Sequence, residues 1–196
     1  IETAFNIESI SIEFFERYKE LFLFVKEEID SLAQKNTDVR NELIRCGINT
    51  SSFSKKLLGQ VVFLYFLQKK GWLGVQRNKE WGTGSKNFLG DLFQKKYVNY
   101  GNFFNEILEP LFYEALAINR ENNFYPRLNC SIPFLNGGLF EPAGNYDWKK
   151  KLIKIKNETF KLIFETFDLY NFTIREDEPL EKEVAVDPEM LGKVFE

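Results

Sequence analysis

Chemistry in this chain has no imidazole to draw on, because its 196 residues include no histidine. That removes imidazole acid–base catalysis, His-containing triads and most zinc sites. Lysines form the densest group: Lys149, Lys150, Lys151, Lys154 and Lys156 lie close together, and Lys69 and Lys70 make a second pair. Such clusters serve either as solvated faces or as contacts to phosphate, with Lys55, Lys56, Arg77, Lys79 and Lys86 as further donors if they fold to the same side. Asp147-Trp148-Lys149 meets the D-x-K spacing of Mg²⁺-dependent nucleases, in which acids hold the ion and a lysine helps activate water. No E-x-K accompanies it, and Asp147 is better placed as a helix N-cap. GTGSK, Gly82 to Lys86, lacks the G-x-x-x-x-G-K-[ST] spacing of a phosphate cradle and reads as a turn. PFLNGGLFEP, Pro133 to Pro142, reads as a tight turn anchored by Phe134, Leu135, Leu139 and Phe140. An N-P-P-Y loop for a flipped base and a glycine-rich turn for a methyl donor are both absent. The residues alone define no catalytic, cofactor or metal centre.

Net charge is −3, unevenly spread: residues 1–30 and 176–196 are acidic, whereas 31–175 carry 21 bases and 13 acids. An acidic total argues against a nucleic-acid binder, but a basic middle keeps that reading open. Cys46 and Cys130 have no metal or redox spacing, so reduced thiols and a cytoplasmic location are expected. The sequence opens on Ile1, its one Met is Met190, and no apolar run is long enough to span a bilayer, so the chain reads as an internal piece of a larger soluble protein.

The elements that must position these residues are helical. Phe14, Phe15, Tyr18, Leu21, Phe22, Val25, Ile29 and Leu32 place a broad apolar stripe on a helix over 10–34. A second helix over 37–46 is expected to stop at Gly47. Residues 49–73 are apolar on nearly every face from Leu57 to Leu67, which puts a helix at the centre of a bundle, ending at Gly71. A polar loop over 74–86 precedes a short helix over 87–96 with Phe88, Leu89, Leu92 and Phe93 inward. The helix over 102–118 contains Pro110, which should kink or split it. Residues 119–147 form a long irregular loop whose hydrophobic residues pack it down. A helix over 148–167 is expected to carry the lysines in its first half, with at most a short strand near 169–174. The expected fold is therefore an all-α, irregular multi-helix bundle over residues 1–174. An acidic linker comes next, over 175–186. The helix begun by Asp187 and Pro188, as N-cap and first helical residue, then leads onward through 187–196.

Four stretches in this order resemble the segment that precedes the methyltransferase core in fused type IIG restriction endonuclease–adenine methyltransferases and in related phage-defence methylases. They are LLGQVVFLYFLQKKGWLG (57–74), ILEPLFYEAL (107–116), PFLNGGLFEP (133–142) and FTIREDEPLEKEVAVDPEMLGKVFE (172–196). The resemblance implies a parent protein that transfers methyl from S-adenosylmethionine to adenine N6, with Mg²⁺ as the second cofactor where a nuclease is fused upstream. It carries none of that family's catalytic residues onto this chain. It implies a helical spacer, inert alone, between nuclease and methyltransferase domains. Its expected partner is the backbone of double-stranded DNA, met through Lys69, Lys70, Lys149, Lys150, Lys151, Lys154 and Lys156. The competing expectation is a protein–protein scaffold that never touches DNA.

Overall fold

The computed structural model describes residues 2–135, 137–172 and 183–184. It is mostly helical. The first helix, α1 (Glu2–Lys35), starts well before the position that the apolar stripe predicts. Its inward residues Phe14, Tyr18, Leu21, Val25 and Ile29 are buried, and Phe15, Phe22 and Leu32 are half-buried against the same core. α2 (Thr37–Arg45) is capped by Asn36, whose side chain accepts from the Asp38 and Val39 amides. It stops at Gly47, whose φ of +62° is the left-handed conformation expected of that glycine.

α3 (Thr50–Lys69) runs through the centre. Phe53, Leu57, Leu58, Val61, Val62, Leu64, Tyr65 and Leu67 are buried around it, which is why no single face dominates its sequence. Its buried polar residues all find partners. Gln60 Nε2 donates to the Leu139 carbonyl at 2.7 Å, Gln68 Oε1 accepts from the Leu89 amide at 3.0 Å, and the Tyr65 hydroxyl donates to Asp168 Oδ1 at 2.8 Å. Beyond the helix the 71–86 loop folds back, and the Gly82 and Gly84 amides both donate to the Gly71 carbonyl, at 3.1 and 2.9 Å. A Cβ on Gly84 would lie 2.1 Å from the Leu73 carbonyl oxygen, so this approach requires glycine. α4 (Phe88–Phe93) then buries Phe88, Leu89 and Leu92.

Pro110 does not split the next helix. Two π-helical stretches, Phe104–Leu108 and Leu111–Leu116, are joined through Glu109 and Pro110, both with helical φ and ψ. Proline cannot supply an amide to the carbonyl four residues back. That carbonyl, of Glu106, accepts instead from the Arg127 guanidinium. The wide π spacing lets the rod pass through the proline.

Residues 119–147 are packed down through short 3₁₀ turns and a two-stranded antiparallel pair, β1 (Phe124–Tyr125) with β2 (Cys130–Ser131), which the sequence pattern does not announce. Phe140 is buried, its ring 5.8 Å from those of both Phe112 and Phe63. Leu139 is 37 % exposed and anchors through its carbonyl alone, a correction to the expected side-chain anchor. Arg120 gathers the loop by donating to the carbonyls of Glu114, Ile118, Phe124 and Ile132.

The helix expected over 148–167 begins only at Asn157. α5 spans Asn157–Phe167, residues 148–150 make one 3₁₀ turn, and 151–156 are irregular. Ile153 and Ile155 are buried while Lys154 and Lys156 are exposed, an alternation of period two that suits an extended segment laid on the core. β3 (Asn171–Phe172) supplies the short strand expected near 169–174 and pairs in parallel with β4 (Glu183–Val184). Phe172 closes an aromatic cluster with Phe14, Tyr65 and Phe167 at centroid distances of 5.0 to 5.8 Å. Most of the acidic linker over 175–186, and all of the helix expected from Asp187, lie outside the described residues. Among the described residues no helix is long and apolar enough to cross a membrane.

Candidate nucleic-acid interface

The lysine-bearing segment is held at both ends by carboxylates from the amino-terminal helices. At its start, Glu42 of α2 accepts from Arg45 Nη2 at 2.5 Å and from the Asp147 amide at 3.2 Å, and lies 3.7 Å from Lys150 Nζ. These donors, Arg45 foremost, hold the Glu42 carboxyl down to about 2. At its end, Glu28 of α1 accepts from the Lys156 amide at 2.7 Å and from the Thr159 hydroxyl. Between them, Asn102 Nδ2 donates to the Ile155 carbonyl and Asn105 Nδ2 to the Ile153 carbonyl, at 2.8 and 2.9 Å. Asp147 does act as a cap, with Oδ1 accepting from the Lys149 amide at 3.2 Å, although the capped element is a single turn.

This frame sorts the five lysines. All are exposed. Lys150 faces Glu42, and Lys151, at a left-handed φ of +52°, sends its charge toward Glu106 and Glu109. Lys149, Lys154 and Lys156 make no ion pair among the described residues. Lys69 and Lys70 lie elsewhere, at the carboxyl end of α3. The basic segment meets α3 near its start, where the Tyr146 and Phe53 rings are 5.8 Å apart. Phe53 to Lys69 is about 24 Å along a helix rising 1.5 Å per residue, so the two lysine sets are not one cluster. Lys86 Nζ reaches the Lys69 carbonyl at 2.9 Å and closes the end of α3. The Gly82 and Gly84 amides of the GTGSK turn both donate to the Gly71 carbonyl and so are not free to cradle a phosphate.

Beneath the segment lies a buried polar group that sequence reasoning missed. Glu109 is fully buried on the π-helical rod. Its carboxyl accepts from the Tyr146 hydroxyl and, at 2.8 Å, from Asn105 Nδ2. Burial pushes it up to about 7, against the opposing pull of those hydrogen bonds and of Lys151. Burial likewise raises the Tyr146 and Tyr113 hydroxyls. The signal is faint in the sequence: an acid beside a proline inside an apolar helix, ILEPLF. The acid, the two tyrosines and the amide are enclosed by core, so they form a structural knot with no open face for a substrate.

The chain was compared with protein-family models, with curated proteins and with solved structures, and no match was found in any of the three.

Proposed function

We propose that this chain is a non-catalytic helical spacer from a restriction–modification protein, and that it grips the phosphates of duplex DNA through the 149–156 segment. In this reading the parent transfers methyl from S-adenosylmethionine to adenine N6 in the cytoplasm, and uses Mg²⁺ where an endonuclease is fused to it. The observation that carries the reading is the core-anchored alternation at 153–156. Ile153 and Ile155 fix the backbone while Lys154, Lys156 and nearby Lys149 stand in solvent without carboxylate partners among the described residues. Contacts of this kind position a protein on DNA and carry no base information.

The test is a salt titration of binding to a short duplex. Binding should weaken steeply with salt. Lys149→Gln, Lys154→Gln and Lys156→Gln together should flatten the log–log slope by up to about 3, since each phosphate contact contributes roughly 0.9. The loss should be uniform across sequences. No binding at low salt sinks the proposal, and methyl transfer or cleavage by the chain alone would overturn its non-catalytic part.

A second reading, a scaffold that docks a neighbouring protein domain, is favoured by Leu23 and Phe24 of α1 and Leu162 of α5, which are 47 %, 46 % and 39 % exposed. Phe24 and Leu162 line one groove of about 270 Å³ with Arg17, Glu20, Leu21 and Thr166. Under that reading alone, the lysine substitutions leave binding to the partner domain unchanged and no DNA is retained.

A further inference from the structure

The loop that clasps the end of α3 also projects two tryptophans that the core does not use. Trp72 and Trp81 are 43 % and 46 % exposed. They face Asn119, Asn123, Pro133 and Phe134 across a cleft of about 410 Å³, within the range of small-ligand sites. Trp81 and Asn123 are shared with an adjoining polar cleft of about 650 Å³, whose walls include Arg77, Lys79, Asn122 and Glu121. The Arg77 guanidinium lies 4.6 Å from the centroid of the Phe124 ring, which sets its position on the cleft wall while its edge can still donate. Asn123 Oδ1 accepts from the Phe134 amide at 3.1 Å, which leaves the Asn123 NH₂ group to donate.

We infer that this double cleft binds single-stranded nucleic acid, with bases stacking on Trp72 and Trp81 and phosphates meeting Arg77 and Lys79. Each side of the cleft supplies one part of that chemistry. Exposed indole faces offer stacking to any base, and side-chain amides offer hydrogen bonds to base edges. The charge agrees: the polar cleft is lined by two cations, Arg77 and Lys79, against one acid, Glu121. A neutral sugar would use the rings and amides but has no use for that excess of positive charge. A closed duplex cannot lay base faces on the indoles, because its own stack covers them. The site is thus strand-selective, whereas the 149–156 segment sees only phosphate. The inference rests on the reading that the chain engages DNA and adds a second surface to it.

The chain has three tryptophans, so a Trp148→Phe background leaves Trp72 and Trp81 as the only indole reporters. At low salt, a twelve-nucleotide oligothymidylate should quench their fluorescence to saturation. A blunt duplex of the same length should leave it unchanged while still binding by anisotropy. Trp81→Leu should weaken oligothymidylate binding about tenfold, in line with the loss of one stacked base. Arg77→Gln with Lys79→Gln, which leaves the aromatic walls intact, should weaken it by a similar factor and reduce its salt dependence. Absence of quenching, equal quenching by duplex, or stronger quenching by cellohexaose overturns the inference. Substituting Lys149, Lys154 and Lys156 by Gln separates the two proposals: it should weaken duplex binding and flatten its salt slope, and leave the quenching in place.

Discussion

Burial raises the Glu109 carboxyl to about 7, while hydrogen bonds from Arg45 hold Glu42 down to about 2. The two act on stability in opposite directions. A carboxyl raised in the folded state binds its proton more tightly there than in the unfolded chain. Its contribution is complete below the unfolded value of 4.5 and is lost as pH rises to about 7. Glu42 contributes above 4.5 and loses its contribution as pH falls toward 2. With no histidine in the chain, the interval from 4.5 to 7 is free of imidazole titration. Stability should therefore fall by up to about 3 kcal/mol between pH 4.5 and 7.5, since each tenfold difference in proton affinity is worth roughly 1.4 kcal/mol. Glu109→Gln should flatten that slope in urea melts across the interval, while a slope unchanged by the substitution would contradict the assignment. The burial of Glu109 is not legible in the sequence, because its partner Tyr146 is brought to it by folding, and the local i,i+4 pair with Asn105 does not by itself mark a buried acid. The lysines present the opposite case. Their identity is plain in the sequence, but their grouping is not, since α3 separates Lys69 and Lys70 from the rest.

At the scale of elements, the apolar stripe of α1 and the glycine stop of α2 are legible because each depends on local spacing or on one residue's conformational freedom. The segment over 148–156 reads as helix in the sequence and is not one. Its lysines hide the period-two alternation of Ile153 and Ile155, and only contact with the core makes that alternation decisive. Pro110 marks a disturbance, but its remedy is out of local reach. The Glu106 carbonyl, four residues before the proline, accepts from Arg127, distant in sequence. This predicts a coupling. Arg127→Ala should cost about 1 kcal/mol, the usual worth of one such bond. In a Pro110→Ala background the new amide can serve the Glu106 carbonyl, so the same substitution should cost nearly nothing. Chemical denaturation of the four variants in a double-mutant cycle measures the difference, and strict additivity would refute it.

Across the whole molecule, one continuous cluster of buried residues reaches from Phe14 in α1 to Phe172 in β3. Phe14 contacts Phe167, Tyr170 and Phe172, so the first helix and the β3 strand close the same core. The described part should unfold in a single cooperative transition, with calorimetric and van't Hoff enthalpies in agreement. Two resolved transitions would show that the amino-terminal helices form a separate unit. The dominance of helices is visible in the frequency and spacing of phenylalanine. Their order in space is not, because aromatic packing between distant segments leaves no local trace.

The attachment of the basic segment has a mechanical consequence. Its start is tied to α2 through Glu42 and its end to α1 through Glu28, while its middle is fastened to the π-helical rod through Asn105 and to the residue leading into it, Asn102. A load applied to Lys149, Lys154 or Lys156 is therefore shared among three struts, with no slack to absorb it. Two of those struts belong to the amino-terminal helices. The segment acts as a handle bolted at both ends, and a pull on it is delivered into α1 and α2.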